Sequence, residues 1–211
     1  MPLFKTIQYN QGTTLYVWHI TETFSDLYEQ VHLNTISTKR LNGMKSQLHQ
    51  RAFLSVRKLL AEAGYTDFDL FYDKSGKPHL NDKKHISITH SHEFAAIIVS
   101  NKTVGIDIEL QREKILRIAD KFVDTAELSR LQNFSTEDYI RKLTVKWGAK
   151  EAIFKIRNEK GISFKDHIQV APFELDQLVT TANLHFEKKQ QWFTICFEEF
   201  AGFTLVYAFE K

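Results

Sequence analysis

Two stretches of helical periodicity, each set among short β-like segments, confine this chain to folds that pair long helices with small sheets. Leu41, Met44, Leu48, Ala52, Val56 and Leu59 recur every three or four residues up to Gly64, the spacing of one helical face ended by a glycine. A second run begins at Ser135-Thr136-Glu137-Asp138, a cap with an acid three residues on, and continues through Tyr139, Leu143, Trp147, Glu151, Phe154 and Lys155 until Gly161 closes it. Between and around them, 15–20, 85–88, 95–100 and 104–110 carry β-branched and apolar residues of strand character. Residues 68–72 look extended and run into the turn formers of 73–78. Asn101-Lys102-Thr103 predicts a hairpin between 95–100 and 104–110, and 192–197 with 203–209 predict an antiparallel pair. Each half thus contributes strands and one long helix, which predicts an α+β fold of two similar lobes, although no sequence repeat relates them.

At 211 residues with 43% hydrophobic content, such a chain buries enough surface to hold a core without disulfide or metal staples. Cys196 is its single cysteine, so no internal disulfide and no thiolate cage is expected, which suits a reducing compartment. The apolar runs are short, as in Ala95–Val99, far below the ~18 residues of a membrane span. The start, Met1-Pro2-Leu3-Phe4-Lys5, lacks the basic, apolar and cleavage regions of a signal peptide, so a cytoplasmic protein is expected. A net charge of +2 gives no reason to expect nucleic acid. Seven of the nine histidines nevertheless lie in the first half, which is also the more cationic one.

Three segments carry groups capable of chemistry. In Gly105-Ile106-Asp107-Ile108-Glu109, strand alternation sends Asp107 and Glu109 to the same face. That pair is either a solvated face or, because crowded oxygens are best neutralised by a hard cation, a Mg²⁺ site. In the second helix Trp147, Glu151 and Lys155 are four apart and share a face. Glu151 and Lys155 form either an ordinary surface ion pair or, beside the Asp107 strand, a third carboxylate ligand and a charge facing phosphate. Ser87-Ile88-Thr89-His90-Ser91-His92 crowds hydroxyls and imidazoles at a strand end. It suits an anion better than a transition metal, and Lys77, Pro78, Arg51 and Arg57 are candidates to extend it.

Taken together, Gly76-Lys77-Pro78, the Ser87–Ser91 stretch, Gly105–Glu109 and Trp147-x-x-Lys150-Glu151-Ala152-x-x-Lys155 resemble the 4'-phosphopantetheinyl transferases of the larger, monomeric, surfactin-synthetase-activating type. The resemblance runs from about Arg51 to Gly161. It implies two pseudo-symmetric α+β lobes, each a small, mostly antiparallel sheet packed with a long helix. It divides the chain into an N-terminal lobe for the nucleotide of coenzyme A, residues 1–102, and a C-terminal metal-binding lobe, residues 103–211. It further implies transfer of the phosphopantetheine arm of coenzyme A to a serine of an apo acyl or peptidyl carrier protein, with release of adenosine 3',5'-bisphosphate. On this likeness Asp107, Glu109 and Glu151 hold Mg²⁺, with Mn²⁺ as the alternative, and Lys155 touches a phosphate. Glu151 and Lys155 are then the catalytic pair, while Thr89, His90, Lys77, Pro78 and either Arg51 or Arg57 grip the nucleotide. The sequence departs from the family in having Thr89 before His90 and a second imidazole at His92.

A carrier protein is acidic around its acceptor serine, and Lys114, Arg117, Lys121 and Arg130, interleaved with Ile115, Leu116, Ile118 and Phe122, offer a matching helix-like surface. The rival readings are a Mg²⁺-dependent phosphodiesterase or nucleotide hydrolase, and a non-catalytic module that binds coenzyme A or a carrier protein. The short trimeric holo-carrier synthases fit less well, because the Asp-x-Glu lies mid-chain here. Neither a membrane nor a nucleic-acid partner is expected, and the likeness implies a monomer.

Overall fold

The computed structural model describes residues 3–211, which divide into two compact units, 3–103 and 104–211. Each carries an antiparallel sheet and a long helix, the α+β class read from the periodicity.

In the first unit β1 (Leu3–Asn10), β2 (Thr13–His19), β5 (His85–Ser91) and β6 (Phe94–Ser100) form a sheet ordered β1-β2-β6-β5. The unbroken apolar run at 95–99 has a simple cause: β6 is central and buried on both faces. Helices α1 (Phe24–Glu29), α2 (Thr35–Asn42) and α3 (Gln47–Glu62) accompany it, and α3 lays Ala52, Phe53, Val56, Leu59 and Leu60 into a core with Trp18, Ile86, Ala95 and Ile97. A two-stranded ribbon, β3 (Leu70–Tyr72) and β4 (Pro78–Leu80), completes the unit. Its turn is wound around Asp73, whose carboxylate accepts from Ser75 Oγ, Ser75 N and Lys77 N, with Gly76 at φ +85°.

Two expectations are corrected here. The helix predicted from Leu41 is two helices, because Asn42-Gly43 stops α2 and α3 begins only at Gln47. Leu41 is buried in α2, whereas Leu48 is exposed and takes no part in the stripe. Nor do 95–100 and 104–110 form a hairpin. Both edges of β6 are already taken, by β2 and by β5, so β7 (Val104–Leu110) pairs elsewhere.

In the second unit β7 and β11 (Phe203–Glu210) pair and are followed by β10 (Lys189–Phe200), β9 (Val179–Phe186) and β8 (Ile168–Val170), giving the order β7-β11-β10-β9-β8. After a 3₁₀ segment, Glu113–Lys121, and α4 (Thr125–Leu131), the 22-residue helix α5 (Thr136–Arg157) packs on this sheet. Ser135 caps its start, with Oγ accepting from Asp138 N at 3.1 Å. Its end is set by Asn158, in the left-handed region at φ 50°, three residues before the predicted Gly161.

The crossing of α5 over β7 and β11 is unusually close. A Cβ on Gly105 would lie 2.0 Å from the Ala152 carbonyl oxygen, and one on Gly148 would lie 2.7 Å from Val206 Cγ2. Only hydrogen fits at either position. The glycines in the two motifs are therefore what lets helix and strand touch.

Candidate active site

The closeness of that crossing brings the two acidic motifs together. On β7, Asp107 pairs in register with Val206 and Glu109 with Thr204. Ile106 and Ile108, on the opposite face, are completely buried, so the register cannot slip without exposing them. Across from this strand, the four-residue spacing on α5 delivers Trp147, Glu151 and Lys155.

Two bonds tie the elements. Lys155 Nζ lies 2.8 Å from Asp107 Oδ1 and donates to the Ile106 carbonyl at 2.9 Å. Trp147 Nε1 donates to Glu109 Oε1 at 3.1 Å. The indole is flanked by two rings, Phe122 edge-on at 5.1 Å and Phe164 tilted at 5.5 Å. Glu151 is half-buried, and burial, reinforced by the charges of Asp107 and Glu109 and opposed by Lys155, pushes its carboxyl up to about 7. Glu109 is pushed up as well, first by burial and then by Asp107, against the Trp147 hydrogen bond and Lys155.

Glu109 and Glu151, both disfavoured as anions, together with Asp107 are an oxygen donor set for a hard divalent cation. As the side chains stand, however, no group of three His, Cys, Asp or Glu among the described residues is gathered closely enough to hold a metal ion. Asp107 Oδ1 is turned to Lys155 and Glu109 Oε1 to Trp147. The donor chemistry fits Mg²⁺, and a cation would replace an ammonium as the charge compensating Asp107.

The remaining candidates belong to the first unit. Thr89 is buried on β5, and His90 beside it is exposed, its ring 6.1 Å from that of His49. Lys77 and Pro78 lead into β4, which packs along β5. His92 occupies the β5–β6 turn at φ 49°. The two arginines differ sharply. Arg57 is 5% exposed, bonds Asp67 Oδ1 at 2.9 Å, Ser37 Oγ at 3.2 Å and the Phe53 carbonyl at 3.2 Å, and lies 3.4 Å over the Phe53 ring. Arg51 is half-buried and gives one bond, from Nη2 to the Ile20 carbonyl at 2.8 Å. Lys114, Arg117, Lys121 and Arg130 are exposed, the first three on the 3₁₀ segment, while Ile115, Leu116, Ile118 and Phe122 pack inward with Leu143.

One set of residues was not foreseen. Lys142, Lys146 and Lys150 are 4%, 2% and 2% exposed, and each donates to main-chain carbonyls. Their signal was present, because they fall in the same helical arc as Val145, Ala149 and Ile153, where solvated lysines have no place.

Strand β7 and helix α5 thus bring acidic side chains and a lysine together on an α+β scaffold. The family model for the 4'-phosphopantetheinyl transferase superfamily matches residues 103–208, half of the chain and the whole of this site. The chain is also similar to the 4'-phosphopantetheinyl transferase Gsp of Aneurinibacillus migulanus, at 30% identity over 120 residues, which are 57% of this chain and 48% of that protein. The match therefore spans about half of that relative. This chain belongs to the 4'-phosphopantetheinyl transferase superfamily.

Proposed function

We propose that this protein transfers the 4'-phosphopantetheine moiety of coenzyme A to a serine hydroxyl of an apo acyl or peptidyl carrier protein, releasing adenosine 3',5'-bisphosphate. The observation that supports the reading is the β7–α5 crossing, where Lys155 bonds Asp107 and Trp147 bonds Glu109, with Glu151 on the same helix, all within the family-matched residues. Asp107, Glu109 and Glu151 would hold Mg²⁺, or Mn²⁺, and the ion would neutralise charge on the pyrophosphate of coenzyme A. Attack on a diphosphate needs charge compensation more than covalent help, and Lys155 supplies it to the departing phosphate. Glu151 accepts the serine proton, with a water held by the ion as the alternative base.

Residues 1–102 take the nucleotide, through Lys77, Pro78, Thr89 and His90. Arg51 is preferred to Arg57 for a phosphate contact, because Arg57 is occupied by Asp67, Ser37 and Phe53. Lys114, Arg117, Lys121 and Arg130 face the acidic carrier. The protein works as a cytoplasmic monomer; among the described residues no helix is long and apolar enough to cross a membrane.

The test is the intact mass of an apo carrier protein after incubation with this protein, coenzyme A and Mg²⁺, with a chelator as control. A gain of one phosphopantetheine arm, lost with the chelator, is expected. Hydrolysis of coenzyme A without a carrier would favour a phosphodiesterase instead. Binding of coenzyme A with no transfer to any carrier class would favour a non-catalytic module.

A further inference from the structure

Lys150 stands beside Glu151 in the sequence, yet its side chain turns away from the carboxylates into the body of the unit. Its ammonium makes three bonds, all to backbone carbonyls: Phe122 at 2.6 Å, Phe164 at 2.7 Å and Ile168 at 2.6 Å. Those carbonyls lie at the end of the 3₁₀ segment, in the loop after α5 and at the start of β8. Three donors meet three acceptors, so the ammonium is fully used. The planar fork of an arginine could not converge on three oxygens around one nitrogen.

Two of the residues so held, Phe122 and Phe164, are those whose rings flank Trp147. Trp147 in turn donates to Glu109. A continuous line of contacts therefore runs from a buried ammonium, through two rings and an indole, to a carboxylate of the site.

We infer that Lys150 is a positioning residue: by fixing the main chain at Phe122 and Phe164 it sets the aromatic clamp on Trp147, and through Trp147 the orientation of Glu109. The consequence for a bound cation rests on the function proposed above; the consequence for the indole does not. Lys142 provides an internal control. It is equally buried and donates to the Phe173 carbonyl at 2.6 Å and to Glu174, whereas the rings that flank Trp147 are those of Phe122 and Phe164.

The experiment uses the full chain with Trp18 and Trp192 replaced by Phe, so that Trp147 alone emits. In Lys150→Met the emission is expected to move to the red and to become more accessible to acrylamide, while Lys142→Met leaves both unchanged. Binding of Mn²⁺ alone, followed by its paramagnetic signal, should weaken roughly 10–100-fold in Lys150→Met, the scale seen when a group that orients a metal ligand is lost. In a Trp147→Phe background, Lys150→Met should weaken Mn²⁺ binding no further. Unchanged Trp147 emission in Lys150→Met, or an equal shift in Lys142→Met, would overturn the inference. If the unmutated protein bound no Mn²⁺, the cation reading would fall, and the emission would still decide the role of Lys150. Should Lys150→Met not fold, Lys150→Arg replaces it: a red shift with the charge retained supports the inference, and unshifted emission overturns it.

Discussion

Lys155 Nζ lies 2.8 Å from Asp107 Oδ1, so a helix on one side of the crossing supplies the positive charge for a nearly buried carboxylate on the other. Removing the lysine takes that charge away. Lys155→Met should lose about 1.5–3 kcal/mol of stability, the range for a hydrogen bond to a charged group. Excess Mg²⁺ should raise the melting temperature of this variant more than that of the unmutated protein, because the ion takes over the lost compensation. Equal Mg²⁺ responses in the two proteins would contradict the assignment of Asp107 as a ligand.

Acid titration tests the crowding of the carboxylates. Glu151 rises from an ordinary value of 4.5 to about 7 in the folded protein. Its protonation therefore favours the native state: the contribution is complete below about pH 4.5 and is lost as the pH climbs through about 7. In the presence of a chelator, the stability of the unmutated protein should fall relative to Glu151→Gln across that interval. Parallel stability–pH curves would show that Glu151 is not held in this environment.

Steric contact at the crossing gives a sharper prediction. Gly105→Ala places a methyl against the Ala152 carbonyl, a backbone atom that cannot move aside, and should cost more than the ~1–3 kcal/mol typical of overpacking. Gly148→Ala meets the methyl of Val206 instead. The double variant Gly148→Ala/Val206→Ala should accordingly recover part of the stability lost by Gly148→Ala, as read by denaturant unfolding. No comparable rescue should exist for Gly105→Ala.

The two arginines of α3 should separate stability from binding. Arg57→Ala leaves Asp67 buried without its guanidinium and should cost about 3–5 kcal/mol. Arg51→Ala should cost much less and should instead weaken coenzyme A binding, measured by calorimetry. Loss of binding in a folded Arg57→Ala, with Arg51→Ala unaffected, would reverse the preference.

The sequence reveals the four-residue spacing of Trp147, Glu151 and Lys155 and the alternation of Asp107 and Glu109, because both depend only on backbone periodicity. It conceals what depends on contacts remote in the chain. Nothing local distinguishes Arg57 from Arg51; the difference is Asp67 and Ser37 folding back onto one of them. The partner of β7 is Phe203–Glu210, about a hundred residues on, and a turn-like Asn101-Lys102-Thr103 points to the wrong neighbour. The stripe through Leu41, Met44 and Leu48 crosses a real break at Gly43 because apolar spacing persists where the helix does not. The buried lysines were hidden by the ordinary rule that lysine faces water.

Those lysines also change the character of the sheet's last strand. Ile168 and Val170 turn their carbonyls away from β9, and Lys150 and Lys146 take them. An outermost strand usually advertises such oxygens to any passing chain, inviting it to add on as the next strand. Here those oxygens are buried and are taken up by side chains from the neighbouring helix, so nothing is left to advertise. Neutralising those lysines would leave buried carbonyls without donors, at a cost of about 1–3 kcal/mol for each group left unsatisfied.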